Sequence, residues 1–230
     1  MPDTTTQMIV AVDGPAAAGK TTTSNAMVAI FGLSYLESGK IYRNLAAEAL
    51  HRNLPTDNTS AIGDLCAELL AENGAAGALT SSRYTPAVLR SVAVTVLVPR
   101  VAGIPAVREH ATAAIRRWAA ERAPCIIEGR DIGTAVFPTA PVKFYLTASP
   151  AVRAERRVQQ QHGLSYPAVL QDILRRDYHD MHREVAPLVP ARDAIEIDTT
   201  DLTIHQVIHR MATAYRARRD ESTAITPART

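Results

Sequence analysis

Three stretches of the chain carry residues whose types and spacing suit phosphate chemistry. The first, "GPAAAGKT" at residues 14–21, fits the pattern G-x-x-x-x-G-K-[ST]. Glycines let such a loop curl so that successive N–H groups point inward at phosphate oxygens. A lysine then reaches the β- and γ-phosphates, and the hydroxyl after it can ligate magnesium. This predicts an ATP grip made of Gly14, Pro15, Ala16, Ala17, Ala18, Gly19, Lys20, Thr21 and Thr22, with Lys20 catalytic and Thr21 a ligand to Mg2+. A chance match in an alanine-rich turn is the competing reading. The second stretch, "EGRDIG" at residues 128–133, follows the apolar Cys125, Ile126 and Ile127. Its acid–arginine–acid run between glycines raises the question of a site, and an internal Arg130–Asp131 ion pair is a fair competing reading. The third is arginine-rich: "RAERR" at 153–157 and "LRRDYHDMHREV" at 174–185. Arg176, Asp180 and Arg183 stand at i, i+4 and i+7, one face of a helix. A solvated salt-bridge stripe has the same spacing. Beside a phosphate loop, however, arginine forks can stabilise a phosphoryl group in transit and close over it to exclude water.

These residues need a scaffold that brings loop ends together. Met8 to Val12 reads as a buried strand, and "TTTSNAMVAIFG" after the loop reads as a helix closed near Gly32, which is the context a phosphate loop requires. Leu33–Leu36, Cys125–Ile127, Val142–Leu146 and Ile195–Asp198 are further expected strands. Expected helices are Ile41–Arg52, Ala61–Glu72, Ala106–Arg122, Pro150–Gln161, Pro167–His182 and Thr203–Arg218, with the turn "HGLSY" between the two arginine-rich ones. Val107, Ala111, Ala114, Ile115 and Trp118 repeat at three and four, which places Trp118 in the core. Pro86–Val98 is ambiguous between helix and strand, and 74–82 reads as loop or weak hairpin. Strands alternating with helices predict an α/β fold, a parallel sheet flanked by helices of P-loop NTPase type, with ligands at the carboxyl ends of the strands.

Bulk properties narrow the classes. A chain of 230 residues with 47% hydrophobic content can bury one substantial core. A formal net charge of +2 gives no drive toward a nucleic acid polymer or an acidic membrane. Two cysteines, Cys66 and Cys125, make neither a disulfide framework nor a zinc site. The start lacks a basic region and a long apolar stretch, so a soluble cytoplasmic protein is expected, with "MPDTTTQ" and "DESTAITPART" frayed. A monomer is the simplest assembly. No N-K-x-D element marks a GTPase. The acid after the Cys125–Ile127 strand is followed closely by an arginine rather than by motor-type sensor elements, which leaves kinases of small molecules.

Taken in order, "VDGPAAAGKTT", "YLESGKIYR", "IPAVRE", "EGRDIGTAVFPTAPVKFYLTAS", "RRD" with "REVAPLVPA", and "DTTDLTIHQVI" resemble bacterial cytidylate kinases over most of residues 8–210. The resemblance implies transfer of the ATP γ-phosphate to CMP or dCMP, with Mg2+. It also implies an inserted acceptor (NMP-binding) domain at 56–98, a helical lid at 150–183, and a P-loop core made of 1–55, 99–149 and 184–230. Site residues follow by match. Ser38, Tyr42, Arg43, Arg108, Gly129, Arg130, Asp131, Arg176, Asp180 and Arg183 would hold CMP. Arg130, Arg176 and Arg183 would also act on the moving phosphate, and Arg156 or Arg157 would lie nearer ATP. Asp131 would face the cytosine, whose exocyclic amine uracil lacks.

Two departures concern the acceptor. Where the family usually carries a serine, nine residues before the arginine matched by Arg108, this chain has Pro99, which offers neither hydroxyl nor N–H. Lys40 replaces a small residue. Ordinary CMP, a modified cytidine monophosphate or another small acceptor, or a shift of register around Pro99 are each compatible with that pattern. A non-catalytic nucleotide-binding regulator is the remaining alternative, against which the intact Lys20, Arg130 and lid arginines count.

Overall fold

The computed structural model describes residues 8–72, 82–160 and 163–224. Strands β1 (Ile9–Asp13), β2 (Ser34–Glu37), β3 (Cys125–Glu128), β4 (Val142–Thr147) and β5 (Ile195–Asp198) form one parallel sheet in the order β2-β3-β1-β4-β5. Helices are α1 (Lys20–Phe31), α2 (Gly39–His51), α3 (Thr59–Glu72), α4 (Pro86–Leu89), α5 (Val92–Ala102), α6 (Pro105–Arg122), α7 (Pro150–Gln160), α8 (Tyr166–His182) and α9 (Ile204–Ala224). This is the α/β architecture expected from the alternation of strand and helix patterns.

The central strand β1 is buried at every residue. A parallel strand covered on both faces needs apolar side chains on both, and "IVAV" supplies them. Ala11 joins Leu36 and Ile127 in an apolar cluster completed by α2, α3, α5 and α6. Val10 and Val12 join Ile126, Phe144 and Leu146 in a second cluster, against Met27 of α1 and Val207 and Met211 of α9. Trp118 is fully buried in the first cluster, as its spacing predicts. A small third cluster, Ala154, Val169 and Ile173, holds α7 against α8.

Most element limits fall within two residues of expectation, and the differences have local causes. The ambiguous stretch at 86–98 is two short helices, because Thr85 and Ser91 cap them: their hydroxyls accept the N–H groups of Val88 and Val94. Helix α9 continues to Ala224, so the first five residues of "DESTAITPART" are helical rather than frayed; an Arg218–Glu221 pair at 3.2 Å supports that turn. Arg183 is not on the face of α8. It follows the last helical residue in extended backbone, where the chain turns into "APLVP". The expected loop at 74–82 (except Ser82), the first seven residues, the rest of the C-terminal tail and part of "HGLSY" lie outside the described residues. No described helix is long and apolar enough to cross a membrane.

Between β3 and β4 the chain makes a short π-helix, Ile132–Val136, with Phe137 N–H bonded to the Ile132 carbonyl at 2.7 Å. Its first turn is anchored from below. The Asp13 carboxylate, at the end of β1, accepts the N–H groups of Ile132 (2.8 Å) and Gly133 (2.7 Å). Two neighbouring strand ends are thereby locked together just where "GRD" leaves the sheet.

Candidate active site

A cavity of about 580 Å³ opens at the carboxyl ends of the strands. Its floor is the loop between β1 and α1, and its walls come from the segments after β2 and β3, from α5, and from α7 and α8. Of the expected site residues, only Gly14 and Pro15 do not line it.

The floor is shaped by backbone that favours glycine. Gly14 has φ of 143° and Gly19 of 95°, and a Cβ at Gly14 would collide with the Leu146 carbonyl of β4. Ala17 also takes a left-handed conformation, φ 61°. Lys20 is buried, and its ammonium donates to the carbonyls of Gly14 and Pro15, both at 2.8 Å. So Gly14 and Pro15 act here as holders of Lys20. Burial, and then the Arg130 guanidinium, pull the Lys20 ammonium below the usual lysine range. The Thr21 hydroxyl donates to Glu128 Oε1 at 2.7 Å. Glu128 Oε2 is buried and has no hydrogen-bond partner. Burial raises the Glu128 carboxyl, with Lys20 and Thr21 acting against the rise.

At the far end, Ser38 donates to the Glu128 carbonyl (2.8 Å) and sits over Gly129, where a Cβ would come within 2.7 Å of the Ser38 hydroxyl. The buried Arg108 guanidinium bridges the Asp131 carboxylate and the Tyr42 hydroxyl, the latter at 2.5 Å. Arg183 reaches the other Asp131 oxygen at 3.4 Å and donates to the Ala186 carbonyl at 2.6 Å. Despite its place beyond α8, it therefore joins the same cluster. The internal Arg130–Asp131 ion pair is not formed: Asp131 pairs with Arg108 and Arg183, whereas Arg130 pairs with Asp180 at 2.8 Å. Against the cost of burial, Arg130 holds the Asp180 carboxyl below the usual range.

Between the two ends lies a concentration of positive charge. Burial and then repulsion from Arg130, Arg43 and Arg157 bring Arg176 down to about 10. One Arg176 nitrogen, Nη1, is buried without a hydrogen bond, 3.8 Å from Asp172. Arg43 donates to the Leu89 carbonyl (2.8 Å) and is lowered by burial and by neighbours that include Arg130, Arg157 and Arg90. The paired arginines of α7 separate: Arg156 is bound to Thr199 at 2.9 and 2.6 Å, while Arg157 belongs to the central group. Crowding of this kind, in a cavity with a backbone cradle at one end, suits a ligand with several phosphates.

The family described as cytidylate kinase matches residues 10–217. The chain belongs to the cytidylate kinase family. It is 40% identical over 215 residues to the cytidylate kinase of Rhodococcus jostii, covering 90% of this chain and 94% of that one. The cytidylate kinase of Shewanella loihica is 41% identical over 210 residues, with 87% and 90% covered. That of Pectobacterium carotovorum is 41% identical over 217 residues, with 90% and 95% covered. Among solved structures, TT1252 from Thermus thermophilus aligns with a TM-score of 0.52 at 17% identity, over 92% of this chain and 97% of that one, a likeness of fold. As a member of this family the chain is an ATP-dependent phosphotransferase.

Within the cytidylate kinase frame the two departures differ in reach. Pro99 lies inside α5 and lines the cavity, while Lys40 pairs with Glu37 at 4.0 Å and does not line it. Several lining residues escaped the sequence reading. Glu128 was visible as the acid closing an apolar strand but was weighed only against motor ATPases. Arg90 and Thr95 sat in the stretch of ambiguous periodicity. Arg153, which lies behind the cavity rather than lining it, was seen only as part of an arginine-rich run; it is 3% exposed and ties the Ala16 and Ala148 carbonyls to Asp177.

Proposed function

We propose that this cytidylate kinase family member transfers the γ-phosphate of ATP to CMP or dCMP, giving ADP and CDP or dCDP. The observation that carries this reading is the layout of one cavity. A phosphate cradle around Lys20 stands at one end and a buried Arg108–Asp131–Tyr42 cluster at the other, with Arg43, Arg130, Arg157 and Arg176 between them. ATP would occupy the 14–22 loop. The acceptor would set its base toward Asp131 and Arg108 and its phosphate among the arginines, with Asp180 near the sugar. A phosphate oxygen of CMP attacks the γ-phosphorus in line as the bond to the ADP oxygen breaks, leaving the electron pair on ADP. The acceptor is already ionised, so positioning and charge stabilisation by Lys20, Arg130, Arg176 and Arg183 supply the catalysis, with no protein nucleophile.

The donors present fit a magnesium ion. A hydroxyl and a buried carboxylate oxygen without a partner, at Thr21 and Glu128, are hard oxygen ligands beside the phosphate loop. Bound there with ATP, Mg2+ would neutralise phosphate charge. Residues 56–98 would form the acceptor-holding part and 150–183 the lid that excludes water. All of these groups come from a single chain, so a monomer suffices. A coupled assay of ADP formation with CMP, dCMP, UMP, AMP and 5-substituted CMPs tests the assignment. CMP or dCMP should be best by a wide margin. A strong preference for a substituted base would replace the acceptor, and ATP binding without transfer to any acceptor would replace the activity.

A further inference from the structure

Two buried polar atoms near the phosphate loop have no hydrogen-bond partner among the described residues: the Tyr35 hydroxyl and Glu128 Oε2. Such orphans are uncommon in folded proteins, and each costs its lost solvation. These two are complementary in kind. Burial first, and then the charges of Glu128 and Glu37, hold the Tyr35 phenol above the usual tyrosine range, so its oxygen carries a proton to donate. Glu128 Oε2 has lone pairs and no donor.

The sheet sets both groups on one face. Strands β2 and β3 are parallel, with Tyr35 beside Ile126 and Glu37 beside Glu128. Residues two apart on a strand share a face, so Tyr35, Ile126 and Glu128 project to the same side. That side is covered by α1: Tyr35 packs against the cluster that holds Ile126 and Met27. Glu128 lies two residues beyond Ile126, a rise of about 6.6 Å along the strand. A tyrosine leaning along its own strand carries its hydroxyl toward that carboxylate. Thr21, in the first turn of α1, donates to the other carboxylate oxygen at 2.7 Å. Thr21 and Glu128 line the cavity and Tyr35 does not, so the phenol stands behind the pair.

We propose that Tyr35 is a positioning residue for the metal end of the phosphate site: its hydroxyl donates to Glu128 and, with Thr21, aims the carboxylate at a divalent cation held with ATP. This rests on the reading of Thr21 and Glu128 as magnesium ligands and names what holds one of them. A rotation of the Glu128 carboxyl group joins the two orphans while the backbone stays at rest. The carboxylate is then gripped from two sides, by Thr21 in front and Tyr35 behind. Each of its oxygens keeps a lone pair for the cation. A hydrogen bond to a metal ligand fixes that ligand's orientation, and its loss weakens the metal rather than the fold.

The test takes the wild-type full chain, Tyr35→Phe, Glu128→Gln and the double variant. Binding of the β,γ-imido analogue of ATP is measured by calorimetric titration, once with excess EDTA and once with saturating Mg2+, so that no turnover enters. Phenylalanine keeps the ring in its cluster, and Tm should stay level because the lost hydroxyl had no partner. With EDTA, Tyr35→Phe should bind the analogue as tightly as wild type does. With Mg2+ it should bind about tenfold more weakly, the loss expected when the support of a metal ligand is removed. In the Glu128→Gln background the same change should cost less than about twofold, because the two residues act as one unit. A packing role alone would move the EDTA and Mg2+ values together, and that result overturns the proposal. So does a full tenfold effect in the Glu128→Gln background. If Mg2+ gives wild type no gain over EDTA, the magnesium reading of Thr21 and Glu128 falls as well. A wild-type gain preserved in Tyr35→Phe overturns only the role of Tyr35.

Discussion

Arg153 and Asp177 meet through two parallel hydrogen bonds, 3.0 and 2.5 Å, while the same guanidinium donates to the Ala148 carbonyl at 2.8 Å and approaches the Ala16 carbonyl at 3.3 Å. One buried side chain therefore ties α7 to α8, to the end of β4 and to the phosphate loop. Asp177 adjoins Arg176, so the strut also fixes where that arginine enters the cavity. Replacing Asp177 by Asn leaves the Arg153 charge buried with a weaker partner. We expect a loss of roughly 3 kcal/mol, read as a lowered midpoint in urea unfolding. An unchanged midpoint would show that the strut contributes nothing to stability.

Arg130 is engaged by Asp180 at 2.8 Å. Arg130→Ala should lower turnover by about 10²- to 10³-fold, the loss seen when one preorganised charge donor is removed from a developing anion. Circular dichroism should be unchanged, because the residue makes no part of either main apolar cluster. A folded variant with wild-type turnover would remove Arg130 from the mechanism.

Glu128→Gln keeps the shape and a carbonyl oxygen for Thr21 but removes the charge that a divalent ion would meet. The Mg2+ concentration giving half-maximal activity should rise about tenfold, with CMP KM little altered. Activity titrated against Mg2+ decides it. An identical titration curve would detach Glu128 from the metal.

Asp13 supplies a pH dependence. Burial raises its carboxyl from the ordinary 3.8 to about 6, even though two backbone N–H groups work the other way. The folded form binds the proton more tightly than the unfolded chain does. The stabilisation linked to that proton is full below about pH 4 and is lost as pH rises through about 6. Asn at position 13 does not titrate, so the difference in unfolding free energy between wild type and Asp13→Asn should slope between pH 4 and 6 and be flat above. A difference that is flat across the whole range would place the folded Asp13 value near the ordinary one.

The sheet was readable from the sequence because buried parallel strands are short β-branched runs, and the phosphate loop because its spacing is dictated by backbone geometry. Helix α5 was not readable, since Val94, Leu97 and Val101 sit at helical intervals in residues that also favour strands. The hydroxyl caps at Thr85 and Ser91 were the overlooked signal. The pairing at "GRD" could not be read either. Arg130 and Asp131 are adjacent in sequence, but their side chains diverge from the turn, and each finds its partner far along the chain, at Asp180 and Arg108. Glu128 was misjudged because its partner, Thr21, lies in the first turn of α1, beyond the phosphate loop, and only the parallel pairing of β1 with β3 brings that turn to the end of β3.

The crowd of guanidinium groups at Arg43, Arg130, Arg157 and Arg176 has a thermodynamic corollary. Like charges held near one another in a shielded hollow push apart until something negative enters. The vacant enzyme is thus the less settled form, and a multivalent anion lowers its free energy beyond what its individual contacts supply. Inorganic tripolyphosphate, which has neither base nor sugar, should consequently raise the melting temperature, and added salt should erode the gain.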